Sequence, residues 1–209
     1  MKPAFFIIFS VIIAIYFFLN WYIFSKGLRA IEFSSYTQLY KWTFWILVIS
    51  FPVGQFLERG NPNAIFRIVS LVGSFYLVIL LYSLLMIVFI DLIRLFDSWI
   101  GFIPQALKNG LLSPKNLFLF VSTSSLLILI LGHINAISPV VRKIDINIDK
   151  NIGEIKEIKA VLVSDIHMGN IIHINRINKM VDKINQLNPD LILFAGDLVD
   201  HNPKPVIKF

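Results

Sequence analysis

Two long runs without a charged residue constrain the fold of this chain more than any other feature. The runs are AFFIIFSVIIAIYFFLNWYIF at residues 4–24 and IVSLVGSFYLVILLYSLLMIVFI at residues 68–90. About 20 helical residues are enough to cross the hydrocarbon core of a membrane. We therefore expect each run to form a transmembrane helix. The 56% hydrophobic content of the 209-residue chain supports this, because soluble domains carry less.

Two further segments complete the predicted membrane region. Residues 117–137 form a third apolar run, and residues 42–57 form a shorter one that Pro52 interrupts, a break that membrane helices tolerate. The first run is too long for a signal-peptide core and has no cleavage site after it. We predict that residues 1–138 form an N-terminal α-helical membrane bundle of about four helices, in a multi-pass protein of the cell membrane. Cations divide six against five between the two sides, so the positive-inside rule does not orient the C-terminal region.

The distribution of charge along the chain limits the classes of partner and function that the sequence can have. Residues 1–138 carry nine Lys and Arg against four Asp and Glu, whereas residues 139–209 carry ten against nine. Five of the six net positive charges therefore lie among the apolar segments, where cations usually anchor helix ends at lipid headgroups. This pattern predicts a lipid bilayer, and not a nucleic acid, as the partner. His133 is the one titratable group within a predicted span, which disfavours a transport pathway.

The polar C-terminal part of the sequence predicts a small α/β unit. Residues 144–149 alternate apolar and polar side chains, which predicts a half-buried strand, and AVLV at residues 160–163 predicts a second strand. Apolar residues then recur at steps of three and four between residues 173 and 190, which predicts an amphipathic helix that a proline ends. LILF at residues 191–194 predicts another buried strand. Strand, helix and strand of these lengths form a βαβ unit with parallel strands.

Ionisable side chains follow both strands of this unit at the point where each strand ends. Asp165 and His167 come after the first strand, and Asp197 comes after the second. Parallel strands end at the same edge of a sheet and neighbours lie about 4.8 Å apart, so we expect the three side chains to converge. The sequence contains no cysteine, and carboxylate and imidazole ligands favour Mn, Fe or Zn. A carboxylate on the second strand can bridge two such ions, so the residues predict a site for divalent metal ions.

These residues lie in two blocks that resemble those of the calcineurin-like metallophosphoesterases. SDIHMG at residues 164–169 resembles the family's first D-x-H block, and PDLILFAGDLVD at residues 189–200 resembles its second block. The resemblance covers about residues 140–203 and implies the first part of an α/β sandwich, in a branch of the family with membrane helices. It also implies a phosphohydrolase with two divalent metal ions, in which Asp165 and His167 bind the first ion and Asp197 bridges both. The implied substrate is a phosphate or pyrophosphate ester, and the membrane helices favour a lipid-linked one.

The family's later blocks, Asn-His-Asp/Glu and Gly-His-x-His, do not occur in the 209 residues. In the family they supply the catalytic histidine and the remaining ligands of the second metal. We therefore expect residues 139–209 to be an incomplete domain and the chain to be an N-terminal fragment of a longer phosphoesterase. The second metal site is then incomplete, the catalytic residues lie beyond this chain, and the chain alone is inactive. The alternative hypothesis is a non-catalytic membrane protein with a decayed phosphoesterase domain.

Overall fold

A computed structural model of the chain describes residues 3–31, 35–60, 63–149, 153, 157–166 and 174–196. The chain forms two compact units, Met1–Gly132 and His133–Phe209. The first unit is helical, and its elements are α1 (Pro3–Ile31), α2 (Thr37–Gly60), α3 (Ala64–Ile100), α4 (Gln105–Asn109) and most of α5 (Pro114–Ala136). The second unit contains β1 (Ala160–Ser164), α6 (Ile174–Gln186) and β2 (Leu191–Ala195).

Three of the described helices, α1, α3 and α5, are long and apolar enough to cross a membrane. Many of their large apolar side chains face outward; Phe18 and Trp99, for example, are 70% and 77% exposed. Exposed apolar surface on this scale fits lipid as the surrounding medium better than water. The helices predicted at residues 4–24, 68–90 and 117–137 are thus confirmed as candidate membrane helices.

The fourth predicted span, residues 42–57, is helical but is not one of these three candidates. It lies within α2, which continues through Pro52 and carries Lys41 and Glu58 near its two ends. The structure therefore supports a helical membrane region with three candidate spans, and it does not confirm the predicted count of four.

Helices α2 and α3 approach each other closely through two glycines. A Cβ atom on Gly73 would lie 2.4 Å from the Cα atom of Phe51, and one on Gly54 would lie 2.6 Å from the Cα atom of Ser70. Because the later residue of α2 meets the earlier residue of α3, the two helices are antiparallel. Small residues at such contacts let helix backbones pack together in membranes, where close packing contributes much of the driving force for helix association.

A buried polar network joins α1, α2 and α3. Asn20 is fully buried, and its side-chain oxygen accepts a hydrogen bond from the Tyr76 hydroxyl. The Asn20 amide group donates to the Tyr16 carbonyl at 2.7 Å, and the Tyr16 hydroxyl donates to the Val48 carbonyl at 2.8 Å. The same three helices supply a buried hydrophobic cluster, which consists of Phe24, Phe44, Val48, Tyr76 and Leu80. These contacts hold the three helices together.

Helix α3 continues past the predicted end of its span at residue 90 and ends at Ile100. The sequence places Asp91 and Arg94 at the end of an apolar segment, but both lie inside this longer helix. The Asp91 carboxylate accepts a hydrogen bond from the Tyr22 hydroxyl at 2.5 Å and forms an ion pair with Lys26. Both partners lie on α1, so contacts from a distant part of the sequence satisfy the charge that interrupts the apolar run.

The second unit contains the predicted strand–helix–strand order. Strands β1 and β2 are parallel neighbours, with Ala160 paired with Leu191 and Ser164 paired with Ala195. Helix α6 lies between them in the sequence and carries the predicted apolar stripe, of which Ile184 is half-buried and Val181 is 45% exposed. The α/β character of this region is thus confirmed as a small two-stranded parallel sheet, and a complete sandwich is not.

The predicted strand at residues 144–149 is wrong. These residues form neither helix nor strand, and Ile144, Ile146 and Ile148 are at least 75% exposed. A strand needs a neighbour to accept and donate its backbone hydrogen bonds, whatever its side-chain pattern. Within the described ranges the sheet consists of β1 and β2 alone, so this segment has no strand to pair with.

Candidate functional site

The start of the two-stranded sheet is held by Asp190, the residue directly before β2. Its carboxylate accepts a hydrogen bond from the backbone N–H of Lys159 at 2.8 Å, and its own N–H donates to the Lys159 carbonyl at 2.8 Å. These bonds support the register that pairs Ala160 with Leu191. The sequence indicated Asp190 only as part of a motif and gave its side chain no role, because its partner lies 31 residues away. The sequence feature that could have indicated this role is the position of Asp190 between Pro189 and an apolar strand.

The two strands end at the same edge of the sheet, and the residues that follow them lie side by side. Asp165 follows β1, and Gly196 follows β2. A Cβ atom on Gly196 would lie 2.8 Å from Oδ1 of Asp165 and 3.5 Å from the Asp165 backbone nitrogen. Gly196 also has a φ of 97°, which residues with side chains rarely adopt. Glycine at this position therefore leaves the space in which the Asp165 carboxylate stands.

Asp165 is exposed at the end of β1. Its φ of 51° lies in the left-handed region, which aspartate tolerates better than most residues. An exposed carboxylate beside a residue without a side chain fits a divalent cation, for which oxygen is a common ligand.

The other two predicted ligands, His167 and Asp197, lie outside the described residues. In the residues that the structure does describe, no three acidic or histidine side chains gather around one point. The structure therefore brings Asp165 next to Gly196, which directly precedes Asp197 in the sequence. Metal binding by His167 and Asp197 stays a prediction.

Two cations of α6 bind backbone carbonyls at and after the end of α5. Lys183 Nζ donates to the Pro139 carbonyl at 2.5 Å, and the Arg176 guanidinium donates to the Ala136 carbonyl. Among the described side chains, Nε of Arg176 is buried without a hydrogen-bond partner. These contacts hold the crossover helix against residues 136–139. Sequence reasoning gave the two cations no role, because charges on the polar face of an amphipathic helix usually point to water.

Comparison with known proteins identifies relatives of this region. Residues 158–208 match the model of a family described as calcineurin-like phosphoesterase. An uncharacterized metallophosphoesterase of Campylobacter jejuni is 39% identical over 67 residues, which cover 32% of this chain and 17% of that protein. One from Helicobacter pylori is 39% identical over 54 residues, covering 26% and 15%. A transmembrane protein with metallophosphoesterase domain from Danio rerio is 29% identical over 97 residues, covering 46% and 22%.

No solved structure matches the chain. The chain spans less than a quarter of the length of each of these three relatives. The range that matches the family model contains β1, α6 and β2, and with them Asp165, His167 and Asp197. The Danio rerio protein is described as a transmembrane protein with this kind of domain, and the chain here has three candidate membrane helices before the region that matches the family model.

Proposed function

Because residues 158–208 match the model of the calcineurin-like phosphoesterase family, we propose that this protein is a membrane-anchored, metal-dependent phosphohydrolase. Residues 1–138 are its membrane region, and residues 139–209 carry the phosphoesterase segment. The observation that carries the proposal is the position of the Asp165 carboxylate at the carboxyl edge of a parallel strand pair, beside Gly196. Ligands of open α/β sheets bind at this edge.

In this proposal Asp165 and His167 would hold the first divalent ion, and Asp197 would serve as a ligand of both the first and the second. Divalent ions there would supply positive charge to phosphoryl oxygens and lower the pKa of water at the site. Mn, Fe and Zn match this set of oxygen and nitrogen donors. The surrounding residues act by position: Asp190 holds the strands in register, and Gly196 leaves space for the Asp165 carboxylate.

Metal binding is tested on the purified full chain in detergent by titration calorimetry with Mn²⁺. Binding is expected to disappear in Asp165→Asn, because asparagine keeps the side-chain size and also tolerates the left-handed backbone but carries no charge. Asp182→Asn, at an exposed position of α6, is the matched control and is expected to keep binding. Unchanged Mn²⁺ affinity in Asp165→Asn would contradict the proposed ligand.

Hydrolysis is measured separately, with an aryl phosphate as a general phosphoester substrate. Mn²⁺-dependent release of the phenol supports the hydrolase. In a version of the protein that also carries the family's later blocks, metal binding without hydrolysis would instead favour the alternative of a non-catalytic protein with a decayed domain. In a version of the protein that turns over, Asp197→Ala is expected to abolish hydrolysis and His173→Ala to change it little. Equal losses in these two variants would show that the ligands are assigned wrongly.

The membrane helices favour a substrate that itself resides in the membrane, such as a lipid-linked phosphate or pyrophosphate. We expect the protein in detergent micelles to hydrolyse a lipid pyrophosphate faster than a water-soluble pyrophosphate added to the same solution. Equal rates would argue that the substrate is recognised by its phosphate alone.

We further propose that α2 crosses the membrane as a fourth helix. Its middle residues Val48 and Phe51 contact Tyr16 near the middle of α1 and Gly73 within the uncharged run of α3. A helix packed between the central parts of two membrane helices lies at the depth of the hydrocarbon core. Its Lys41 and Glu58 lie near the helix ends, where long charged side chains can reach the interface.

Single-cysteine labelling tests this topology directly, because the sequence contains no cysteine. Ser35→Cys lies between α1 and α2, and Gly60→Cys lies at the end of α2, where a Cβ atom has nothing within 4 Å. If α2 crosses, a membrane-impermeant maleimide added to intact cells labels one of the two thiols and spares the other. Labelling of both, or of neither until the membrane is opened, would show that α2 does not cross.

A further inference from the structure

A cavity of about 170 Å³ lies within the helical unit, between α1, α3 and α5. It is formed by the last part of α1, the last part of α3 and the first part of α5. Its wall combines two kinds of side chain that rarely share a cavity. Apolar groups make up most of the wall, and four ionisable groups complete it: Lys26, Arg29, Asp91 and Arg94.

The ionisable groups of the cavity carry a surplus of positive charge. Lys26 and Asp91 form an ion pair and neutralise each other, so the positive charges of Arg29 and Arg94 remain. Arg94 donates to the Leu112 carbonyl at 2.7 Å, and Arg29 is exposed and makes no ion pair within the described residues. A guanidinium has five N–H donors, and the described residues occupy one donor of Arg94 and form no ion pair with Arg29, so both arginines have donors to offer a ligand. Planar arginine groups bind phosphate oxygens with two parallel hydrogen bonds, which makes a phosphate group the fitting anion.

The apolar part of the cavity lies on the membrane-spanning part of the helices. Ile87 and Val121 contribute to its wall and are themselves buried. The uncharged run of α3 ends at residue 90, and Asp91 and Arg94 follow within one helical turn. Such a change from apolar to charged residues marks the level at which hydrocarbon meets lipid headgroups. A ligand with a phosphate at one end and hydrocarbon at the other would match both parts of the wall.

We propose that this cavity binds the phosphate headgroup of an anionic membrane lipid. Arg29 and Arg94 contact the phosphate, and the hydrocarbon next to the headgroup lies against Ile87 and Val121. Basic pockets between membrane helices are known to accept anionic headgroups through this combination of charge and depth. The site lies within the helical unit and uses none of the residues proposed to bind metal, so it is a second site with a separate ligand.

The test uses the full chain in detergent micelles with EDTA, and a fluorescent short-chain phosphatidic acid as the probe. Saturable binding is expected, and Arg29→Gln and Arg94→Gln are each expected to weaken it about tenfold, as the loss of one charge-assisted hydrogen bond does. Lys115→Gln is the matched control, because it removes a cation from the first turn of α5 outside the cavity wall. It is expected to leave the affinity unchanged, and circular dichroism checks the helical content of every variant.

Two results would overturn the proposal. One is equal affinity of phosphatidic acid for the unchanged chain and for the Arg29→Gln/Arg94→Gln variant. The other is equal binding of the corresponding fluorescent diacylglycerol, which lacks the phosphate.

Inorganic phosphate and glycerol phosphate, added as competitors, distinguish a lipid from a soluble ligand. At a concentration equal to that of the lipid probe, neither competitor is expected to displace it. Displacement at that concentration would assign the cavity to a soluble phosphate and overturn the lipid assignment. EDTA keeps divalent ions from the proposed metal site throughout. A negative result therefore leaves the proposed hydrolase standing, and a failure of metal binding or hydrolysis leaves lipid binding standing.

Discussion

The contact between α2 and α3 makes Gly73→Ala a sharp test of how the helical unit is packed. The added Cβ atom would lie 2.4 Å from Cα and 2.6 Å from N of Phe51, and 2.8 Å from the carbonyl carbon of Ser50. All three are backbone atoms, so no side-chain rotation relieves the overlap. An ordinary contact begins near 3.4 Å, which means that α2 must move away from α3 by about 1 Å. Overpacking of this kind costs about 1–3 kcal/mol of unfolding free energy.

Gly132→Ala supplies the matched control, because it adds the same methyl group to helix α5 with nothing within 4 Å. Alanine is better than glycine inside a helix by about 1 kcal/mol, and this gain applies to both variants. The free energy of unfolding, measured by SDS titration in mixed micelles with helical circular dichroism as the signal, is therefore expected to be about 1–3 kcal/mol lower for Gly73→Ala than for Gly132→Ala.

Adding Gly54→Ala to Gly73→Ala extends the same test to a second point of the interface. The two glycines lie on the same pair of antiparallel helices, so one displacement relieves both overlaps. The double variant is expected to lose less than the sum of the single losses, since sites that share one structural response are not additive. Equal stability of Gly73→Ala and Gly132→Ala would refute the close approach of α2 and α3.

The remaining predictions concern the strand pair and the polar network. Asp190→Ala is expected to remove the acceptor that holds the start of β1, at a cost of about 1 kcal/mol, and to speed amide hydrogen exchange at the first residues of both strands. Asp182→Ala, at an exposed position, is expected to change neither. Gly196→Ala is expected to displace the Asp165 carboxylate, so that Mn²⁺ affinity falls while helical circular dichroism is unchanged; retained affinity would contradict the site geometry. Asn20→Leu is expected to lower the free energy of unfolding in SDS titration by about 1 kcal/mol, the usual size of an interhelical hydrogen bond in membranes.

The features predicted well from sequence are those that depend on neighbouring residues. The uncharged runs at 4–24 and 68–90 became helices because length and composition alone decide whether a segment suits a membrane. The βαβ order was confirmed for a similar reason, since an amphipathic helix between two short apolar strands allows few arrangements. The placement of Asp165 at the carboxyl edge followed from that order.

The features that sequence reasoning missed depend on partners far along the chain. Helix α3 continues through Asp91 because Lys26 and Tyr22 of α1 bind its carboxylate. The residues around Asp91 in the sequence do not indicate these distant partners. The alternation at residues 144–149 has no neighbouring strand among the described residues, and the side-chain pattern alone does not reveal this. The Asp190 carboxylate was likewise given no role, because its backbone partner belongs to the segment before β1.

The left-handed backbone of Asp165 has a consequence for how this segment changes over evolutionary time. At a φ of 51° an L-residue costs about 1 kcal/mol that glycine does not, although aspartate is among the residues that bear the cost best. A change to glycine would therefore relax the connection after β1 and at the same time delete the carboxylate. Selection on folding stability alone would favour glycine at residue 165. A copy of this segment that is not selected for metal binding would gain stability by losing the carboxylate that we propose as a metal ligand.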